Sequence, residues 1–542
     1  MNASRPLRIA LAQFDFPLGA IAANAARIAE LIATARDTHG ADLVAFPELA
    51  LSGSPPLDLV QRHDFMTECA RGIASIATQT RGIVAVVGWP ALVDGEARSA
   101  LSVLREGVIA GIAHAALPDP AAPPSEPRAF EAAGAPSLFE VNGVTVGLAP
   151  GGADAAALAA LAKAGAALAL LPAATAYEHG ALEREGQHLT AQAAASGLAL
   201  ARVNAVGAQD AWIFHGAARL VDGSGQAHPP ARAFDETWAL TQFDPATRRF
   251  TPIDWPAETD ASRPSLIWRA LVAGIRGYAR KNGIRRAVLG LSGGLDSAMV
   301  AALTVEALGA DNLTAVRLPS RYTSALSNEL AQAQADLLGV RLLTLPIEAT
   351  VEAALGTLAP ELGPAPGLVE ENLQSRARGL LLMALANAEG ALLLATGNKS
   401  EAAAGYCTLY GDTCGGYAPI KDVFKTEIFA LARWRNAQGD GPRIPTGVIE
   451  RAPSAELREN QRDEDSLPPY AVLDALLEHH LEDGLTAEQL VAQGFEAGTV
   501  TRVLQLLRSS EWKRAQGASG PRLSRSAFGS VRQMPVTCGY TG

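Results

Sequence analysis

The chain has 542 residues, 48% of them apolar, and a formal net charge of −11. That length exceeds what a single core organises and predicts two large domains. The acidic balance argues against nucleic acid as the main partner. The opening MNASRPLRIALAQ lacks the apolar h-region of a signal peptide. No apolar run is long enough to span a bilayer, Lys163 breaking the best candidate. Cys69, Cys407, Cys414 and Cys538 form no CxxC pair, which fits a reducing, cytoplasmic setting without structural zinc.

In chain order, LRIALAQF and ADLVAFPEL read as buried strands, with the amphipathic helix AANAARIAELIATARDTHG between them, ended by Gly40. GIVAVVGWPAL, GVTVGLAP, AALALLPAA, LALARVNAVG and WIFHGAARLVD continue the strands, and DAAALAALAKAG reads as a helix. Strands outnumber helices, which predicts a layered α/β domain rather than a barrel. Residues 246–265, rich in Pro and charge and without periodicity, are expected to be a linker between domains 1–245 and 266–542.

The second half restarts with a helix, SLIWRALVAGIRGYARKNG, and a strand, RRAVLGLS. Strand and helix then alternate through NLTAVRLP, NELAQAQADLLG, RLLTLPI, NLQSRARGLLLMALANAEG and ALLLAT. Such alternation predicts a doubly wound parallel sheet. From about residue 470 the chain reads as mainly helical.

The strongest motif is LGLSGGLDS, residues 289–297. A short strand ends in Ser-Gly-Gly, and a helix begins near Asp296-Ser297. Gly293 and Gly294 let backbone amides approach an anion, and the helix N-terminus supplies partial positive charge. Ser292 and Ser297 add hydroxyls. Asp296 does not favour a bare anion, so a bridging cation is implied, most simply Mg²⁺. A Gly-rich turn that merely caps a helix is the structural alternative.

This loop lacks the Lys of G-x-x-x-x-G-K-[ST] and resembles that of the ATP-pyrophosphatases, which cleave ATP between its α- and β-phosphates. PSRYTS (319–324), ENLQSRARG (371–379), LLLATGNKSEAAAGYCTLYGD (392–412), PIKDVFKT (419–426) and PSAELRENQRDEDSLPPY (453–470) narrow the likeness. With them, 265–542 resembles the synthetase domain of NAD⁺ synthetases of the type fused to a nitrilase-like glutaminase. That family converts deamido-NAD⁺, ATP and ammonia to NAD⁺, AMP and pyrophosphate.

The resemblance implies an adenine-nucleotide-hydrolase-like fold and an ATP site at Gly290, Leu291, Ser292, Gly293, Gly294, Leu295, Asp296, Ser297, Thr396 and Lys425. Asp296 and Glu401 match the metal positions, and Asp296, Glu401 and Lys425 the catalytic ones. Asn372, Arg376, Glu401 and Lys513 match positions that meet deamido-NAD⁺. A homodimer is also implied. Asp412 is read as a turn residue, and RDEDSLPP as a loop near the site rather than a ligand set. Cys407 and Cys414 are read as small core or loop residues.

Residues 5–245 resemble the nitrilase-like glutaminase domain, an α-β-β-α layered fold, through IALAQFDFPLGAIAANAARI, LVAFPELALSGSPPLDL and VNAVGAQDAWIFHG. In that family a Glu, a Lys and a Cys hydrolyse glutamine. Here Glu48 matches the Glu. The Lys position reads His114, and the Cys position falls at about Gly151. Between Cys69 and Cys407 there is no cysteine at all. A thiolate makes this chemistry feasible at neutral pH, so a synthetase using free ammonia is expected. The alternatives are a glutamine-dependent enzyme with another nucleophile, another ATP-pyrophosphatase, or a non-catalytic nucleotide-binding regulator.

Overall fold

A computed structural model describes residues 5–115, 137–150, 154–363, 367–532 and 534–538. They form two compact units divided between Leu266 and Ile267.

The first unit contains strands β1 (Leu7–Gln13), β2 (Leu43–Ala45), β3 (Val84–Val93), β4 (Glu96–Arg105), β5 (Val108–Ala115), β6 (Leu138–Val141) and β7 (Val144–Leu148). It continues with β8 (Leu168–Ala173), β9 (Ala199–Asn204), β10 (Val206–Gln209), β11 (Trp212–His215), β12 (Arg219–Val221), β13 (Thr237–Asp244) and β14 (Arg249–Asp254). Its helices are α1 (Ile21–Asp37), α2 (His63–Ala77), α3 (Ala155–Lys163) and α4 (Ala181–Ser196).

Seven strands form one sheet in the order β14-β13-β1-β2-β3-β4-β5, and five form another, β12-β9-β8-β7-β6. Leu7, Ile9, Leu11, Val84 and Val86 of the first sheet share a buried cluster with Val144, Val146, Leu168 and Leu170 of the second. The alternate residues Ala10, Val44, Ala85 and Val87 pack instead with Ile28, Ile32, Ile73 and Ile76 of α1 and α2. On the far side Leu158 and Leu161 of α3 and Leu189 of α4 pack on Ala169, Leu171 and Leu200. The period-2 alternation of strands thus feeds two cores from one sheet and produces four layers, α-β-β-α.

Two parts of this unit depart from the sequence reading. The hairpin β4–β5 was not anticipated, because REGVIAGIAHA mixes Gly and Ala with few β-branched residues. Residues 249–254, expected within an irregular linker, pair antiparallel with β13 as an edge strand. An edge strand is half solvated and tolerates Pro, here Pro252, so it reads like a linker in composition.

The second unit has β15 (Ala287–Gly290), β16 (Leu313–Arg317), β17 (Arg341–Thr344) and β18 (Leu392–Leu394), all parallel, in the order β17-β16-β15-β18. Its helices are α5 (Arg263–Lys281, which starts just before the boundary), α6 (Leu295–Leu308), α7 (Ala325–Leu338), α8 (Glu348–Leu362), α9 (Leu368–Glu389) and α10 (Lys399–Ala404). The remainder are α11 (Lys425–Asn436), α12 (Thr446–Glu450), α13 (Tyr470–Leu481), α14 (Ala487–Ala492), α15 (Ala497–Ser509) and α16 (Glu511–Arg514). The strand order reverses beside β15, so a crevice opens at the carboxyl ends of β15 and β18. The helical C-terminal region packs Leu473, Leu476, Leu477, Val500, Val503 and Leu507 against Ala403 and Phe424. The sequence reading omitted α8, whose EATVEAALGTLAPEL carries a Pro in its last turns.

Candidate functional site

The crevice of the second unit is built from chain turns that leave the sheet. After β15 the chain enters Leu291-Ser292-Gly293-Gly294 and then α6. Gly293 adopts φ +80°, and a β-carbon there would stand 2.3 Å from the Ser327 carbonyl oxygen. Only glycine fits that position. The two serines close the loop: Ser292 Oγ lies 3.1 Å from Ser297 Oγ, Ser292 N donates to Ser297 Oγ at 3.2 Å, and Gly294 N donates to Ser292 Oγ at 3.2 Å.

Beyond β18 the chain passes Thr396 and starts α10 with a capping box. Asn398 Oδ1 accepts from Glu401 N at 2.9 Å, and Glu401 Oε2 accepts from Asn398 N at 3.3 Å. The box fixes the Glu401 carboxylate at the helix start. Lys425 opens α11 and points back: its ammonium is ion-paired with Asp296 and stands 3.9 Å from Glu401 Oε1. These three side chains come from three turns at the same sheet edge.

Burial and the neighbouring Asp296 push the Glu401 carboxyl well above its ordinary value, more than Lys425 pulls it down. Burial alone would lower the Lys425 ammonium, and Asp296 and Glu401 outweigh it and hold it raised. A further carboxylate was missed by the sequence reading. Asp463 of the RDEDSLPP segment is buried, accepts from Tyr470 Oη at 2.8 Å, and belongs to the same electrostatic group. The segment is therefore part of the site's wall, not merely a loop near it. Only its signature, an acidic run ahead of a helix, hinted at this.

Asn372, Arg376 and Lys513 converge on one loop. Thr408 Oγ1 donates to Asn372 Oδ1 at 2.8 Å, and Arg376 Nε donates to the Leu409 carbonyl at 3.2 Å. Lys513 Nζ donates to the carbonyls of Gly405 (2.7 Å) and Cys407 (2.8 Å). Asp412 is more than a turn residue: its buried carboxylate accepts from Thr408 N at 2.7 Å and Ser375 Oγ at 3.2 Å. Burial and Asp412 push the Cys407 thiol up to about 12.

In the first unit Glu48 follows β2 and is 1% exposed. Its backbone N donates to the Ala173 carbonyl at 3.3 Å, which ties it to the end of β8. Ser99 Oγ of β4 donates to Glu48 Oε1 at 2.6 Å. His114, at the position of the family's lysine, lies on β5. The register pairs Ser99 with Ala115 and Ala100 with His114, so the pleat sends Ser99 and His114 to opposite faces. Gly151 lies outside the described residues. Cys69 is wholly buried in the core of α2, and burial pushes its thiol up to about 12.

A second buried polar cluster lies at the ends of β8 and β9. Glu185 is ion-paired with Arg202 and lies 3.2 Å from His215 Nε2, while Asn204 Oδ1 accepts from Thr175 N at 2.8 Å. Among the described residues no group of three or more His, Cys, Asp or Glu is arranged to hold a metal alone. None of the described helices is long and apolar enough to cross a membrane.

Together these features define two modules: a nucleotide-type synthetase site at a doubly wound switch point, and a four-layer hydrolase-like domain. Residues 267–517 match the NAD synthase family model and 8–252 the carbon-nitrogen hydrolase model. The chain is 50% identical to a glutamine-dependent NAD⁺ synthetase of Xanthomonas campestris pv. campestris (strain 8004), over 99% of this chain and 98% of that one. It is 42% identical to one of Rhodobacter capsulatus, over 98% of each. The solved structure of glutamine-dependent NAD⁺ synthetase from Acinetobacter baumannii in complex with ADP matches with TM-score 0.77, 33% identity and 99% coverage of both chains. The chain belongs to the NAD⁺ synthetase family, in its two-domain form, and is a ligase.

Proposed function

We propose that this enzyme amidates deamido-NAD⁺ with free ammonia, and that its first domain no longer hydrolyses glutamine. One observation carries the reading. The first domain has a single cysteine, Cys69, sealed in the core with a thiol at about 12. The relatives named above are called glutamine-dependent, so the nitrogen source is where this chain departs.

In the synthetase domain the nicotinate carboxylate attacks the α-phosphorus of ATP, pyrophosphate leaves, and ammonia then displaces AMP. Two anions must meet, so positive charge has to be placed beforehand. Lys425 supplies it: its raised, buried ammonium keeps its proton and faces the charge that develops on the leaving pyrophosphate. The Ser292–Ser297 turn and the start of α6 cradle the phosphates. Asn372, Arg376 and Lys513 shape the loop 405–412 that borders the deamido-NAD⁺ site.

The residues fit a Mg²⁺ ion. Asp296 Oδ1 is buried without a hydrogen-bond partner, and burial and the Asp296 charge push the Glu401 carboxyl beside it up. Mg²⁺ takes one or two carboxylates and completes its shell with phosphate and water. Asp296 and Glu401 would hold it, and it would neutralise phosphate charge. The reading includes a homodimer and a cytoplasmic setting, the latter in keeping with four free cysteines.

The test is NAD⁺ formation from deamido-NAD⁺ and Mg-ATP with ammonium or with glutamine as sole nitrogen source. Turnover with ammonium only is expected. Turnover with glutamine would overturn the reading. Ser99 would then be the first nucleophile to replace by Ala, because its hydroxyl donates to the Glu48 carboxylate at 2.6 Å. Turnover with neither would favour a nucleotide-binding regulator.

A further inference from the structure

Lys399 lies two residues before Glu401 and is 1% exposed. Its ammonium stands 2.9 Å from Asp422 Oδ1, 2.8 Å from Glu482 Oε1 and 2.7 Å from Ser524 Oγ. All three of its protons are thereby used. The acceptors come from separate stretches: the turn before α11, the residue after α13, and the C-terminal segment. The carboxylates reach further. Asp422 Oδ2 accepts from Leu523 N and Ser524 N at 2.8 Å each, and Glu482 Oε2 from Arg525 N at 3.0 Å. Lys399 N itself donates to the Val423 carbonyl at 3.0 Å.

Ser400 continues the connection. Its Oγ accepts from Lys425 N at 2.9 Å and donates to Asp474 Oδ1 at 2.5 Å. Asp474 Oδ2 in turn accepts from Thr426 N and Thr426 Oγ1, each at 2.8 Å. The two residues that precede Glu401 are therefore tied, through two adjacent sets of buried hydrogen bonds, to the backbone on either side of Lys425.

A buried ammonium at the first position of a helix is disfavoured twice, by desolvation and by the positive end of the helix dipole. An apolar side chain would fill that space at lower cost. What the charge adds is direction: an ammonium needs its acceptors at set positions, and these draw three distant segments onto α10. We propose that Lys399 is a positioning residue for the synthetase reaction. Through Asp422, Glu482 and Ser524 it holds α10 against α11 and the C-terminal segment, and so sets the spacing of Glu401 and Lys425. The proposal rests on the reading of those two residues as the synthetase centre.

The full chain is assayed with deamido-NAD⁺, Mg-ATP and ammonium as parent, Lys399→Met, Lys399→Arg, Ser524→Ala and Lys425→Met, each with a thermal melt. Lys399→Met is expected to lower kcat about 10- to 100-fold, the usual cost of losing a group that orients a functional ligand, with KM for deamido-NAD⁺ unchanged. Lys399→Arg keeps the charge and is expected to recover part of kcat. A folded Lys399→Met with parental kcat overturns the proposal, as does a rise in KM with kcat intact. Should Lys399→Met not fold, Ser524→Ala decides. It removes one acceptor and keeps both carboxylates, and kcat is expected to fall about threefold, the scale of one lost hydrogen bond; an unchanged kcat overturns the proposal. Lys425→Met tests the underlying reading separately: parental turnover there would remove the Glu401–Lys425 pair from catalysis, whatever Lys399 does.

Discussion

The α-carbon of Gly293 packs against the Ser327 carbonyl so closely that a β-carbon would approach to 2.3 Å. Ser327 has little room to retreat. Its Oγ donates to Glu456 Oε2 at 2.8 Å, and Arg451 Nη1 donates to Ser327 Oγ at 2.6 Å. The Ser292–Ser297 turn is thus seated on α7 through a contact only glycine allows. For Gly293→Ala the left-handed backbone alone costs about 1–3 kcal/mol, and the collision adds to it. ATP binding measured by calorimetry is expected to weaken at least about tenfold, which is 1.4 kcal/mol. Parental affinity in a folded variant would show that this loop is not the phosphate cradle.

Lys425→Met should cost turnover more than binding. In the proposed reaction its ammonium faces charge that grows as pyrophosphate leaves, and losing one such group costs about 10²- to 10³-fold in kcat. The variant also leaves Asp296 and Glu401 buried beside each other without their cation, so a lower melting temperature is expected, and Mg²⁺ should restore part of it. A kcat near the parental value at saturating substrate would rule out the assigned role.

Cysteine alkylation separates a sealed thiol from a catalytic one. Cys538 is exposed, while Cys69 is buried and held at about 12. After iodoacetamide treatment of the native chain at mildly alkaline pH, peptide mass spectrometry should find Cys538 modified and Cys69 intact. Only the thiolate reacts. Ready modification of Cys69 would return it to consideration as a nucleophile.

The Glu185 cluster sets an acid limit on the first domain. Burial raises this carboxyl, and the charges of Arg202, His215 and Arg219 outweigh burial and hold it well below the usual carboxylate range. A carboxylate depressed in the folded state stabilises above its unfolded value, and that stability is lost as pH falls through the folded value. Glu185→Gln is therefore expected to destabilise by about 3 kcal/mol at neutral pH, since breaking a buried pair strands its partner. The gap to the parent should narrow as denaturation is repeated below about pH 4.5. A gap independent of pH would mean that packing, not charge, accounts for it.

Much of the candidate site was legible in sequence because its residues lie in contiguous motifs at strand ends. The turn SGGLDS needs glycine at Gly293 for a backbone reason, and Asn398 to Glu401 form a capping box visible as N-x-x-E. Asp463 was not legible. It is buried, bonded by Tyr470 and within reach of the Lys425 and Asp296 charges far away in the chain, and nothing local distinguishes it from the acids around it. The edge strand Arg249–Asp254 was missed for a similar reason: only pairing with β13 makes it a strand.

The sequence by itself determined the two α/β domains, the Ser-Gly-Gly turn between β15 and α6 and the absence of any cysteine between Cys69 and Cys407. Those are matters of local periodicity, turn stereochemistry and composition. Tertiary structure alone brought Ser99 of β4 to the Glu48 carboxylate, because sheet pairing and not any local pattern decides which distant side chains share a face. It also decided that Lys399 gathers Asp422, Glu482 and Ser524. Burial turns such charges into fixed partners, and burial is a property of the packed chain rather than of any segment of it.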